Sequence, residues 1–279
     1  MWYKSKLLKK IFLNTTDWNV AWKKNGDLDF KIIQNPKKYW LADSLVFSDD
    51  SGIYLFVEAF DKEENIGKIA VLEFDGNNFV NFRIVMERPY HLSYPYVFKY
   101  SHNYYMVPET SNNNFIELYK ATKFPDNWEK VCNLLEGKYV DTTLRISDDQ
   151  IDFYSYNMNA KEEIYCTLNM ENYAVTILKR IYDPDYTLRG GGNVYYEDGS
   201  YYRMVQNNKY FYGQSLKKLN FDTHEIVGEL LPNDIKLECN KVIRRIHTFS
   251  KSNNFVAIDV SDYKFDFFKL LKKIFKKGE

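Results

Sequence analysis

RPYHLSYPYVFKYSHNYYMVPETS, Arg88 to Ser111, is a hairpin written in strand-forming residues. A polar and aromatic approach (His91, Ser93, Tyr94, Pro95) leads into Tyr96-Val97-Phe98. Ser101-His102-Asn103 breaks the run, and Tyr104 to Val107 resumes it before Pro108-Glu109-Thr110. Two aromatic and β-branched runs around a short polar break read as an antiparallel pair. The plan recurs as ADSLVFSDDSGIYLFVE (Ala42–Glu58), VDTTLRISDDQIDFYSY (Val140–Tyr156) and GGGNVYYEDGSYYRMVQ (Gly190–Gln206). A weaker fifth copy is RIHTFSKSNNFVAID, Arg245 to Asp259. Aligned on their strands, Asp43, Tyr94, Asp141 and Gly191 share one position, at intervals of 51, 47 and 50 residues.

Five β units at this period, about 40–50 residues, predict an all-β, five-bladed β-propeller. Each blade begins with the strand nearest the axis, so the residues leading into those strands meet at one mouth of the channel. The convergent set is Asp43, Tyr94, Asp141, Arg189 and His247, and it is the candidate site. A closed ring must pair its ends, so Trp18 to Ile33 (WNVAWKKNGDLDFKII) is expected to complete the last blade. The predicted division is a basic amphipathic segment over 1–16, the propeller over 17–263 and a short basic amphipathic helix over 264–279. Gly190-Gly191-Gly192 lacks the strand–loop–helix setting of a nucleotide loop and is read as a close backbone approach at the axis.

Formal net charge is zero, which gives no support to a nucleic-acid or other polyanion partner. Aromatic side chains make up 18% of the chain, enough for sheet packing and for walls that stack on sugars. Cys132, Cys166 and Cys239 are odd in number and widely spaced. They form neither a disulfide framework nor a zinc pattern, so a reducing compartment is expected, with no metal and no cofactor. MWYKSKLLKKIFLN has too short an apolar run for a signal peptide, and no segment reaches the roughly 18–20 apolar residues of a membrane span. FDFFKLLKKIFKK, Phe265 to Lys277, would place Phe267, Phe268, Leu271, Ile274 and Phe275 on one helical face flanked by lysines. Such a face fits either the headgroup region of an anionic membrane or a cap packed on the propeller. The basic start of the chain favours the membrane. The expected location is cytoplasmic, peripheral on the inner face of the cell membrane.

YWLADSLVF, GKIAVLEFDG, RPYHLSYPYVF, YYMVPETS, IELYKA, FPDNW, YVDTTL and IHTF, in this order, resemble a family of five-bladed propellers. That family occurs in bacterial surface-polysaccharide loci and as the N-terminal part of plant glucosamine inositolphosphorylceramide transferases. The resemblance spans about Tyr39 to Asp259 and implies a fold similar to glycoside hydrolase family 43 and the fructan-active propellers, which carry acidic residues at the axial mouth. By that resemblance Asp43 matches the hydrolase base and Asp141 the helper aspartate. The hydrolase acid, a Glu followed by Gly at the start of the fourth blade, is replaced here by Arg189-Gly190.

Arginine cannot deliver a proton at neutral pH. Either Glu109 supplies the acid from the second blade, or the leaving group needs none, as when an activated donor releases phosphate. Arg189 and Arg203 would then clamp that phosphate, the guanidinium fork being well shaped for it; alternatively Arg189 pairs with Asp43 or Asp141. Glu58, His91, Tyr94, Gln206, Asn207, Tyr212 and His247 complete the candidate substrate contacts. The expected function is glycosyl transfer from a nucleotide or lipid-phosphate sugar donor to a glycan acceptor in cell-surface polysaccharide biosynthesis. A family 43-type hydrolase and a non-catalytic glycan-binding module are the alternatives.

Overall fold

Strand-forming runs pair with their nearest neighbours in sequence, and this builds one blade at a time. The computed structural model describes residues 13–147 and 150–265. Blade one pairs Tyr39–Asp49, Gly52–Asp61, Ile66–Phe74 and Phe79–Met86 in order, all antiparallel. Blade two uses Ser93–Tyr100, Asn103–Glu109, Phe115–Lys123 and Asn127–Glu136. Blade three uses Tyr139–Ile146, Ile151–Asn157, Glu162–Leu168 and Val175–Tyr182. In blade four the inner strand is split into Arg189–Gly190 and Tyr195–Glu197, both on Ser200–Asn207, followed by Ser215–Asn220 and Ile226–Leu230. Among the described residues the only helical turns are two short ones, Ser111–Asn113 and Pro232–Asp234.

Blade five is made from both ends of the chain, as the ring requires. Arg245–Lys251 and Phe255–Ser261 supply its first two strands, and Asn19–Lys24 and Lys31–Ile32 its outer two. Asn19 lies opposite Val260 and Lys24 opposite Phe255. Closing the ring this way leaves the last blade with no unpaired inner edge. Beyond it, Leu13–Thr15 pairs with Tyr263–Phe265 in a two-stranded ribbon. The expected N-terminal segment and C-terminal helix lie largely outside the described residues, and where they are described, at Leu13–Thr15 and Tyr263–Phe265, the chain is strand rather than helix.

Four of the five seams between blades are apolar. Phe56, Ile69 and Val71 of blade one meet Leu92, Met106 and Trp128 of blade two. Tyr96, Val107 and Leu118 meet Leu144, Phe153 and Ile164. Tyr195, Met204 and Leu216 of blade four meet Ile246, Val256 and Ile258 of blade five. Val20 and Trp22 of blade five meet Leu41 and Leu55 of blade one. The seam between blades three and four differs. Arg203, fully buried, forks onto Glu163 at 2.5 and 2.8 Å and lies over the Tyr154 ring at 3.7 Å. Its Nε has no hydrogen-bond partner. A charged pair therefore stands where the other seams have hydrocarbon.

Four inner strands break register at the same place. The interruptions lie between Ala42 and Leu45, Ser93 and Tyr96, Val140 and Thr143, and Ile246 and Phe249. Each is a bulge of two residues, which bends a strand and re-aims a side chain. The first bulge residue in blades one to three has positive φ: 49° at Asp43, 45° at Tyr94 and 53° at Asp141. A bulky residue in this region is strained and is kept there by its surroundings. Blade four uses glycine instead. A Cβ on Gly192 would lie 1.7 Å from the Phe249 carbonyl oxygen, and one on Gly190 2.4 Å from that of Asp141. The glycine triplet is thus a point where three backbones converge on the axis.

Candidate functional site

The bulges turn Asp43, Asp141 and His247 toward the axis on the face where the inner strands begin. There Asp43, Glu58, His91, Glu109, Asp141, Arg189, Tyr212 and His247 line one pocket of about 230 Å³, walled by Trp18, Trp40 and Phe60. Ligand pockets for drug-sized molecules run roughly 300–1,000 Å³, so this one suits a single sugar ring better than an oligosaccharide. Trp40 and Phe60 stack at 4.5 Å, and Trp18 leans on His247 at 5.2 Å, giving flat apolar faces beside the carboxyl groups.

Asp43 is held from both sides. The Tyr94 N–H donates to its Oδ2 at 3.1 Å and the Thr248 hydroxyl to its Oδ1 at 3.1 Å. Its own N–H donates to Asp259, which also accepts from the Ser44 N–H at 3.2 Å and hydroxyl at 2.6 Å. Asp259 is therefore a clamp on the blade-one bulge. His247 Nδ1 stands 3.3 Å from Asp43 and 3.6 Å from Asp259, out of hydrogen-bonding alignment with either. One ligand atom from each of Asp43, His247 and Asp259 could be gathered within 4.8 Å, but the Asp259 oxygens are already occupied by the bulge. Burial works against a charge on His247, and Asp43 and Asp259 outweigh it, so its pKa is raised. Its Nε2 bonds the Tyr212 hydroxyl at 2.5 Å.

Across the pocket, Arg189 Nε donates to Asp141 Oδ2 at 2.8 Å, the ion pair weighed from the sequence. Arg189 lines the pocket, and its two terminal nitrogens make no hydrogen bond among the described residues. Gln206 supports the pair from behind, donating to Asp141 at 3.1 Å and to the Gly190 carbonyl at 2.6 Å. Burial raises the Asp141 carboxyl, with Arg189 opposing and Asp43 adding to the rise.

The two glutamates at equivalent ends of the second strands of blades one and two sit differently. Glu109 accepts the Ser111 hydroxyl at 2.8 Å. Burial first, then the Asp141 charge, push its pKa up to about 8 against the pull of Arg189, so it holds a proton at neutral pH. Glu58 is buried without a hydrogen bond to Oε1, and burial followed by the Asp43 charge raises it well above the usual range. His91 accepts the Gly67 N–H at Nδ1, so its Nε2 carries the proton and faces Glu58 at 3.3 Å. Burial lowers the His91 pKa and keeps that ring neutral.

Four expected contacts do not line the pocket: Gln206, which stands behind the Asp141–Arg189 pair, and Tyr94, Arg203 and Asn207. Tyr94 runs beneath it as a plug: its hydroxyl accepts from the Gly192 N–H at 2.8 Å and lies 2.7 Å from the Gly192 carbonyl and 2.8 Å from Thr143. Arg203 cannot clamp a phosphate there, because it is sealed in the seam on Glu163. Asn207 points away from the axis and donates to Glu229 at 2.9 Å. Sequence reading missed Trp18, Trp40 and Phe60. The last two could have been found, since Phe60 is two residues from Glu58 and Trp40 two from Ala42, hence on the same face of each strand.

A family model described as glucosamine inositolphosphorylceramide transferase 1, N-terminal, matches residues 32–230. A rice (Oryza sativa subsp. indica) protein named glucosamine inositolphosphorylceramide transferase 1 is 30% identical over 190 residues, which is 64% of this chain and 26% of that protein. The Arabidopsis thaliana protein of the same name is 26% identical over 191 residues, 64% of this chain and 25% of its own length. The chain thus spans about a quarter of the curated relatives it matches. Among solved structures, the catalytic domain of a Coprinopsis cinerea GH62 α-L-arabinofuranosidase superposes with a TM-score of 0.58 at 12% identity, covering 87% of this chain and 97% of that domain. At that identity the likeness is one of fold.

Proposed function

The chain belongs to the glucosamine inositolphosphorylceramide transferase 1 N-terminal family, and from that premise we propose that its axial pocket transfers a sugar from a phosphate-activated donor to a glycan acceptor. The setting would be assembly of a surface glycan on the inner face of the cell membrane. A carbohydrate-active role is supported by relatives named as transferases; the donor and the step are our reading. The observation that carries it is Arg189, which lines the pocket with its Nε spent on Asp141 and both terminal nitrogens without a hydrogen bond among the described residues. Asp43 takes the proton of the acceptor hydroxyl, the acceptor oxygen bonds the anomeric carbon, and the bond to phosphate oxygen breaks. The phosphate leaves as an anion held by Arg189 and needs no proton. Burial raises the pKa of both Glu109 and Glu58, which lessens the repulsion of that anion by the pocket.

Glu109 also favours a second reading. A carboxyl that holds its proton at neutral pH can act as a general acid, and help of that kind is worth about 10²–10⁴ in rate. Glu109→Gln separates the two. Gln keeps a neutral side chain and cannot give a proton, so donor binding and transfer should persist while hydrolysis of aryl glycosides would be lost. Arg189→Ala should weaken binding of nucleotide-sugar or lipid-phosphate donors, and Asp43→Asn should abolish transfer with donor binding retained. Hydrolysis of aryl glycosides by the wild type, lost in Glu109→Gln and kept in Arg189→Ala, would overturn the transferase reading. Binding of finished glycan with no turnover would make the domain a recognition module.

A further inference from the structure

Both ends of the propeller leave it on the face that carries the pocket. Asn19–Lys24 starts there and its partner Phe255–Ser261 ends there, beside the pocket residues Trp18 and His247. The Thr16 N–H donates to the Asp262 carbonyl at 2.8 Å, and Leu13–Thr15 then pairs with Tyr263–Phe265, so the two ends depart as one ribbon. The root of the ribbon is packed on the pocket rim. Arg245 lies 4.5 Å from the Trp18 ring and 5.7 Å from that of Tyr263. Phe211 touches Tyr263 at 6.4 Å, and Trp18 meets Tyr212 at 6.0 Å.

Charge is distributed along the same division. Residues 1–12 and 266–279 contain nine lysines and two acidic side chains, a net +7. The whole chain is formally neutral, so residues 13–265 carry −7. Both segments interleave their lysines with large apolar residues, among them Leu7, Phe12, Phe267 and Phe275. Lysines next to bulky apolar side chains are the composition that anionic lipid surfaces hold, whereas a polyanion in solution would need the lysines alone. Exposed aromatics do not choose a face, since Tyr182 and Tyr210 lie on the pocket face and Tyr196 and Tyr201 on the other. The described residues from which the two charged ends depart do choose one. An acidic body is repelled by an anionic leaflet within a Debye length of about 8–10 Å, so the attraction must come from the lysine-rich ends.

We propose that the pocket face docks on an anionic membrane through the paired ends of the chain, so that the pocket opens toward the lipid surface and takes substrates carried there. This orientation requires no catalytic step and stands or falls apart from glycosyl transfer.

The test uses the full chain with Cys132 and Cys239 replaced by Ser. An environment-sensitive fluorophore is placed at Tyr210→Cys on the pocket rim or at Tyr196→Cys on the opposite face. Each protein is mixed with vesicles of phosphatidylcholine alone, or of phosphatidylcholine with phosphatidylserine, with and without bromine on the acyl chains. The expected result is binding only to the phosphatidylserine vesicles, with bromine quenching at 210 and none at 196. Each lysine near an anionic surface multiplies partitioning about fivefold, so changing Lys272 and Lys273 to Gln should lower it at least about tenfold. Equal quenching at both sites, quenching only at 196, absence of vesicle binding, or retention on a heparin matrix without vesicle binding would each overturn the proposal.

Discussion

Glu109→Gln should make the protein more stable, and more so as the pH rises. In the folded chain the Glu109 pKa is raised from 4.5 to about 8 by burial and the Asp141 charge. In the unfolded chain the side chain titrates near its ordinary value. Between about pH 4.5 and 8 the folded state therefore binds a proton that the unfolded state has released, and stability falls as pH rises through that window. Each pKa unit is worth about 1.4 kcal/mol, so the full shift would amount to about 5 kcal/mol for an isolated group. Glu109 shares its field with Asp141 and Arg189, which move when it is changed, and we expect about 2–3 kcal/mol at pH 8 and almost none at pH 4. Urea denaturation of both proteins from pH 4 to 9 measures this as midpoints that diverge with pH, the m-values staying equal. Two profiles that run parallel, or a Glu109→Gln protein less stable at pH 8, would refute the argument that Glu109 is held protonated by its surroundings.

The charged seam between blades three and four should respond steeply to loss of one partner. Glu163→Gln leaves Arg203 buried without its counter-ion and should cost about 3–5 kcal/mol, whereas pairing it with Arg203→Met should recover most of the loss; a thermal denaturation cycle checks both. Tyr94→Phe strips the hydroxyl from the axial plug and leaves the Gly192 N–H unpaired. We expect a loss of about 1–3 kcal/mol with the pocket itself intact, measured by chemical denaturation alongside ligand binding.

Much of this architecture was legible before any coordinates. Blade count, the joining of Trp18–Ile33 to the last blade and the axial place of Asp43, Asp141 and His247 all follow from spacing, because a blade is built from strands adjacent in sequence. The close approach at Gly190–Gly192 could be read for the same local reason: nothing but glycine tolerates it. One error was avoidable. Gln206 faces Asp141, and side chains alternate along a strand, so Arg203 and Asn207, at odd offsets from it, must face the other way.

The rest depended on distance in space between residues remote in sequence. Tyr94 shares a position with Asp43 and Asp141, yet it became a plug because a long side chain at the axis reaches the opposite blade, where Gly192 receives its hydroxyl. Whether Arg189 would pair with Asp43 or Asp141 turned on the rotation between blades. The protonation of Glu109 sums charges from Asp141, Arg189 and Asp43, which three other blades contribute. That both ends of the propeller leave it on the pocket face depends on ring closure. Local pattern specifies each blade, but the electrostatics of an axial pocket belongs to the ring, since every blade adds one or two ionisable groups to the same pocket of about 230 Å³.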